Sequence, residues 1–296
     1  MLIYMQGDHT KTEISAVLEP YRSWLTTHRR PMTVKNRVYY AQRMLTWATE
    51  SARNPWEISV EDLTEWILTV GSSPSTRKNA ADGLRSLYRW AVATGRTNHN
   101  PTQDLPKITV PRGLPRPTPD AVLKRGLERC TRHVDVLMLL LGSYTGLRVA
   151  EIAAGHTNDI DGDRLRVVGK GGHVRYVPIN MILKPVLDAT PSGWFFPSSK
   201  NVTGHYKPAS IGQRINDLLD PGWSAHTLRH RFGTEVYRNT PDLLALRDLL
   251  GHSDVSTTMV YAKVSSAILT SSVDALAPII DMESHMRRYR DSKRSA

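Results

Sequence analysis

A chain of 296 residues is too long for one ordinary core and comfortable for two, and its 40% hydrophobic content excludes disorder as the dominant state. Its 39 Lys and Arg against 28 Asp and Glu leave a formal charge of +11, which favours a polyanionic partner such as nucleic acid or an anionic membrane surface. The single cysteine, Cys130, excludes an internal disulfide, and neither a secretory leader nor an apolar run of ~20 residues is found, so a cytoplasmic location without membrane insertion is expected.

In chain order, residues 1–11 are expected to be a short tail ahead of an all-helical bundle over 12–99. Ile14, Val17, Leu18, Tyr21 and Leu25 line one face of a first helix, and Val34, Val38, Ala41, Leu45 and Ala48 repeat the helical spacing in a second. Ser59 with Asp62 three residues on predicts a capping box, opening a third helix that buries Leu63, Trp66, Ile67 and Val70. A fourth carries Ala80, Leu84, Leu87, Tyr88 and Ala91 and ends near Gly95. Residues 100–119 hold six prolines, which no helix or central strand tolerates, and predict an extended linker punctuated by Lys107, Arg112 and Arg116.

Beyond the linker a second domain is expected over 120–284. Helices are predicted over 120–131, 134–144 and 147–154. The period then changes from about 3.6 to 2, with Leu165 and Val167 alternating with Arg164 and Arg166, and with a β-rich stretch over 174–179. Gly169, Lys170, Gly171 and Gly172 make the hairpin turn between them. Helices resume from Pro208, with breaks at Pro221-Gly222, Pro241 and Gly251. The predicted fold class is mainly α, a helical bundle followed by an α+β domain with a small antiparallel sheet. Residues 285–296, with Arg287, Arg288, Arg290, Lys293 and Arg294, read as a basic tail.

Four segments carry candidate chemistry: the stretch around Arg148 and Glu151, the Lys170 turn, His226 to His230 with Arg229 between them, and Gly251-His252 with Tyr261 nine residues after the histidine. Two guanidinium groups can fork onto the non-bridging oxygens of one phosphate. Cleaving a phosphodiester needs a nucleophile, charge stabilisation and a proton for the departing oxygen, which Tyr261, the two arginines and Lys170 would supply in turn. Taken singly, each residue has an ordinary explanation: a surface pair for Arg148 with Glu151, a solvated loop lysine, capping or core histidines, a packing tyrosine. His226 and His230 have the spacing of zinc ligands on a helix, but Thr227 stands where a metalloprotease needs Glu, and the lysine turn lacks Walker spacing. No metal or cofactor is therefore expected.

In order and spacing, the segments resemble the tyrosine recombinase, or phage integrase, family over about residues 12–280. Thr145 to Glu151 resembles the first arginine motif, and Gly169-Lys170-Gly171 with Arg175 and Val177-Pro178-Ile179 resembles the lysine hairpin. His226 to His230 resembles the second arginine box, and Leu249 to His252 with Thr257, Thr258 and Tyr261 resembles the nucleophile motif. The resemblance implies that Tyr261 attacks the scissile phosphate to leave a 3′-phosphotyrosyl enzyme and that Lys170 protonates the 5′-oxygen. It implies that Arg148 and Arg229 clamp the phosphate, that His226 assists as acid and base, and that His252 bonds a non-bridging oxygen. Glu151 would orient Arg148, and His230 would support the site.

The resemblance further implies a core-binding role for the helical bundle, with Lys78, Arg85 and Arg89 contacting DNA. Its expected partners are double-stranded DNA with core-type inverted repeats, copies of itself in a tetramer, and a directionality factor. Val264, Ile268, Ala275 and Leu276 would form a face docking on a neighbouring protomer. The chain departs from the family pattern at His173 and Val174, at Gly233 where a small Ala is common, and at Lys263 where many members have His. With little chain ahead of residue 12, an arm-less integrase of a phage or mobile element is expected. The alternatives are a chromosome-dimer-resolving recombinase, a type IB topoisomerase and a non-catalytic DNA-binding regulator.

Overall fold

The computed structural model describes residues 2–111, 113–169, 171–252 and 257–262, with side chains from residue 12 onward. Lys170, Arg112, Lys263, the face built on Val264, Ile268, Ala275 and Leu276, and the basic tail 285–296 lie outside the described residues. The chain divides into two compact units, residues 1–112 and 113–296.

The first unit is built from α1 (Leu2–Thr26), α2 (Pro31–Glu50), α3 (Val60–Val70) and α4 (Pro74–Ala93). Helix α1 starts ahead of residue 12, where a tail was expected. The apolar faces read from the spacing converge on one core holding Tyr21, Leu25, Ala41, Met44, Leu63, Leu84, Leu87 and Tyr88. The Ser59 box forms as predicted: Asp62 N–H donates to Ser59 Oγ at 3.1 Å, and the Asp62 carboxylate accepts from the Ser59 backbone. The proline-rich stretch is not free throughout its length. Pro101–Gln103 forms one 3₁₀ turn, Thr102 and Leu105 are buried, and Ile108 packs on the helical core.

The second unit contains α5 (Asp120–Glu128), α6 (His133–Tyr144) and α7 (Val149–Ala153), then β1 (Ile160–Asp161), β2 (Arg164–Val168) and β3 (Val174–Pro178). After the strands come α8 (Lys184–Asp188), α9 (Pro208–Leu218), α10 (Ala225–Asn239), α11 (Leu243–Leu250) and α12 (Met259–Ala262). The strands form an antiparallel sheet in the order β1-β2-β3, with Leu165 opposite Val177 and Val167 opposite Arg175. Leu165, Val167 and Val177 turn into the core while Arg164, Arg166 and Val168 face outward, as period-2 alternation requires.

Helix α6 is apolar almost all round and runs through the middle of this unit, with Leu137 to Leu141 at most 4% exposed. Its one buried charge, Asp135, accepts bidentate bonds from both Arg132 and Arg214. The end of the proline-rich stretch is tied in here: Thr118 bonds Thr227, and the Arg116 guanidinium lies 4.3 Å from the centre of the Trp223 ring. Among the described residues no helix is long and apolar enough to cross a membrane.

Candidate active site

Helix α10 places His226, Arg229, His230 and Gly233 at steps of three and four, so all four share one face. Across from it, Glu151 lies in the first turn of the short helix α7, where its Oε2 accepts from the Arg148 backbone N–H at 2.8 Å. That bond satisfies a helix-start donor, and it also fixes the carboxylate directly beneath Arg148.

Three guanidinium groups converge on this one carboxylate. Arg148 Nη1 donates to Oε1 at 2.9 Å, and Arg175 donates from Nη1 to Oε1 at 3.0 Å and from Nη2 to Oε2 at 2.8 Å. Arg229 Nη1 stands 4.0 Å from Oε2. Burial would raise the Glu151 carboxyl, but the bonds from Arg175 and from the Arg148 backbone hold it below the ordinary glutamate range. Burial, and after it the neighbouring Arg148, lowers the Arg229 guanidinium to about 10, which leaves it charged at neutral pH. One carboxylate against three cations leaves a surplus of positive charge in a partly dehydrated site, a standing attraction for an anion.

The same three arginines cap the end of α11. Arg175 Nε donates to Leu249 O at 2.9 Å, Arg229 Nη2 to Leu250 O at 2.6 Å, and Arg148 Nη2 to Gly251 O at 3.0 Å. These carbonyls lack helical partners and carry the negative end of the helix dipole, so cations are the expected caps. Gly251 is in the left-handed conformation at φ 60°, and a Cβ there would stand 3.0 Å from Arg175 Nη1. Arg229 also donates from Nη1 to Gly146 O, across the turn that precedes Arg148.

Arg148, His226, Arg229 and His252 line an open cleft of about 430 Å³, with Gly212 and Asn216 of α9 on its wall. His252 follows the capped end of α11, and its Nδ1 lies 3.0 Å from Thr258 Oγ1. Burial, and then the surrounding arginines, lower His252 to about 4; burial, and then His226, lower His230 to about 4 as well. Both rings are therefore neutral near pH 7.

Tyr261 is not among the residues lining the cleft. It is 4% exposed, with its hydroxyl 3.2 Å from His230 Nδ1, and burial raises its pKa above the usual tyrosine value. His230, expected to play a supporting part, is thus the histidine in reach of the hydroxyl. His226, the expected acid and base, stacks edge-on against His230 with ring centres 4.3 Å apart. One turn of helix separates the two histidines, and Tyr261 packs at the level of the second.

The structure brings together Arg148, Glu151, His226, Arg229, His230, His252 and Tyr261 in the second unit. Arg175 completes the group. It was legible only as part of the hairpin motif, because nothing in its spacing marks a partner 24 residues earlier. In the first unit, Lys78, Arg85 and Arg89 lie along α4 as the spacing predicted, but two of them are already engaged. Lys78 pairs with Asp82 at 2.8 Å, and Arg85 donates to Leu105 O at 3.0 Å and Pro106 O at 3.2 Å. Arg89 is exposed and, with Arg85, borders a second open cleft of about 680 Å³.

Paired arginines open onto a cleft here, and a tyrosine hydroxyl rests on a neutral histidine of the same helix face as Arg229, a site suited to holding an anion such as a phosphate. Residues 121–267 match the phage integrase family. The chain is 31% identical over 232 residues to tyrosine recombinase XerC of Erythrobacter litoralis, covering 70% of this chain and 74% of that one. It is 29% identical over 282 residues to XerC of Chromohalobacter salexigens, covering 86% and 90%. Among solved structures, a lambda integrase dimer bound to a COC′ core site shares the fold, with a TM-score of 0.67 at 16% identity over 90% of this chain and 98% of that one. The chain belongs to the tyrosine recombinase family, whose members are site-specific recombinases.

Proposed function

We propose that this recombinase cuts and rejoins double-stranded DNA through a 3′-phosphotyrosyl intermediate formed on Tyr261. The observation that carries this reading is the surplus of guanidinium charge around the buried Glu151, opening onto a cleft through Arg148 and Arg229, with the Tyr261 hydroxyl held behind the cleft on His230. Those arginines bind the non-bridging oxygens and stabilise the charge that grows as the phosphorus becomes five-coordinate. The Tyr261 oxygen attacks, its proton passing to a neutral histidine, and the 5′-oxygen leaves with a proton from Lys170. A phosphotyrosyl ester replaces a phosphodiester, so the bond is exchanged with little change in free energy. A 5′-hydroxyl of the partner strand then reverses the step.

DNA is engaged at core-type inverted repeats by copies of the chain acting as a tetramer in the cytoplasm, with Arg89 the α4 cation most available for phosphate. The tetramer and a directionality factor are part of the proposal. Integration of phage or mobile-element DNA and resolution of chromosome dimers use the same chemistry, and the XerC relatives bring the second role to equal standing with the first.

The test starts from a duplex recovered from a random-sequence pool by repeated capture on the protein, then nicked beside the scissile phosphate. The wild type should form a covalent protein–DNA adduct on it, and Tyr261→Phe should bind the duplex equally without forming one. An adduct with Tyr261→Phe, or none with the wild type, overturns the assignment. Recombination of two sites by this protein alone points to integration, whereas dependence on a second recombinase points to dimer resolution.

A further inference from the structure

We propose that Arg175 is a positioning residue of the strand-transfer site, holding Glu151 and the end of α11 in register so that Arg148 stays turned to the phosphate. The inference rests on the function proposed above and concerns a residue to which that function assigns no part.

Arg175 does not itself face the cleft. Its side chain is 10% exposed, and its guanidinium spends three donors on Glu151 Oε1, Glu151 Oε2 and Leu249 O. Its influence therefore runs through its partners. An ionised carboxylate has about four acceptor sites. On Glu151 two are taken by Arg148, through its backbone N–H and Nη1, and two by the fork of Arg175. The carboxylate is saturated.

If the fork is removed, two buried acceptor sites open. Beyond Arg148, which is already bonded, the nearest guanidinium is that of Arg229, 4.0 Å from Oε2. Glu151 would draw Arg229 inward, or take up both ends of Arg148, and in either case a clamp arginine turns away from the cleft. Leu249 O would lose its cap at the same moment, one residue before the carbonyl that Arg229 holds. Arg175 also lies on β3, so it ties the strand leaving the Gly169–Gly172 turn to the turn before His252. Lys cannot replace it, because the three donors of an ammonium radiate from one nitrogen and cannot span both carboxylate oxygens and Leu249 O as the planar guanidinium does.

The experiment uses the full chain carrying Arg175→Lys, with Arg175→Gln as the second variant, on the nicked duplex. A matched duplex carries a methylphosphonate at the scissile position, where the missing negative charge removes most of the need for a guanidinium clamp. Arg175→Lys should bind the normal duplex within about threefold of wild type and cleave it at least about tenfold more slowly, because ~1 Å misplacements in a reacting site carry penalties up to ~10²-fold. The defect should shrink on the methylphosphonate duplex. In a Glu151→Gln background, Arg175→Lys should add less than about threefold, since residues acting through one another are not additive.

Equal losses on both duplexes, or a full multiplicative loss in the Glu151→Gln background, would show a merely structural role and overturn the proposal, as would wild-type cleavage by either variant. If Lys does not fold, Gln answers the same comparison. If wild type itself forms no adduct on a duplex it binds, the recombinase chemistry falls and Arg175 with it. An adduct with an unimpaired Arg175 variant removes Arg175 alone.

Discussion

The Tyr261 ring lies so close to the Cα of Gly233 that a Cβ built there would stand 2.5 Å from Tyr261 Cζ and 2.8 Å from its hydroxyl. No real side chain tolerates that approach, so the absence of a methyl group on α10 is what lets the tyrosine sit down on His230.

Gly233→Ala should therefore dislodge Tyr261 from this position. The loss of the His230 contact is expected to cost about 1 kcal/mol of stability, or up to ~3 if the ring stays and the helix is forced aside. Helix propensity works the other way by ~1 kcal/mol, so the net stability change is small if the ring leaves. The direct reading is the His230 ring by nitrogen NMR: its titration should move in Gly233→Ala and in Tyr261→Phe alike. An unshifted His230 in Gly233→Ala would show that the tyrosine had not moved.

Arg148 and Arg229 should be separable by stability, though the proposed function has both serve one phosphate. Arg229 is 5% exposed and bonds two buried carbonyls, at Gly146 and Leu250, that would be left unsatisfied in Arg229→Lys, at about 1–3 kcal/mol. The Arg148 side chain is 37% exposed, and water can replace its bonds, so Arg148→Lys should cost about 0–1 kcal/mol. Adduct formation should fall sharply in both. Urea unfolding of the two variants side by side checks the difference, and equal losses would contradict the burial argument.

Acid sensitivity should appear before the carboxylates titrate. His230 and His252 have folded-state pKa values of about 4, pushed down chiefly by burial, against an ordinary value of 6.5, and His226 is lowered too. Between those values the unfolded chain binds more protons than the folded one, so stability falls as pH drops from about 6.5 towards 4 and is level above 6.5. Glu151, held low by Arg175 and Arg148 despite its burial, contributes only below the ordinary glutamate range. The melting temperature should follow this course, and His252→Gln should flatten it; a melting temperature constant from pH 7 to 5 would exclude it.

Asp135 carries none of the chemistry but much of the second unit's integrity. Its side chain is 0% exposed and takes forked bonds from Arg132 and Arg214, which together hold its carboxyl far below the usual range against the opposing effect of burial. Asp135→Ala leaves Arg214 without its carboxylate beside α6 and should cost about 3 kcal/mol, read by urea unfolding. A loss below 1 kcal/mol would mean that the pair is solvated.

Much of this molecule was legible along the chain because it is set locally. The Ser59–Asp62 box follows from two side chains three residues apart that each bond the other's backbone N–H, and the buried faces of α3 and α4 and the alternation of β2 follow from the 3.6 and 2.0 residue periods. The spacing of four likewise put His226 and His230 on one side of one helix.

The engagement of Arg85 and Lys78 within their own unit was not legible. Their spacing on α4 is the same whether they face solvent or Asp82 and Leu105. The return of the proline-rich stretch onto the bundle was hidden for the same reason, since proline reports the backbone it forbids and not the surface it packs on.

By itself, then, the sequence determined the family, the helix faces and the inventory of arginines, histidines and tyrosine. Only the tertiary structure decided how they are shared out: Arg175 forking onto Glu151 from 24 residues away, Arg148 reaching Gly251 from 103 residues away, and three arginines capping the successive carbonyls of Leu249, Leu250 and Gly251 at the end of α11. Such contacts arise when two faces of a packed core meet. A guanidinium can satisfy any carboxylate or carbonyl that the packing brings within 3 Å, and no local period records which one that will be.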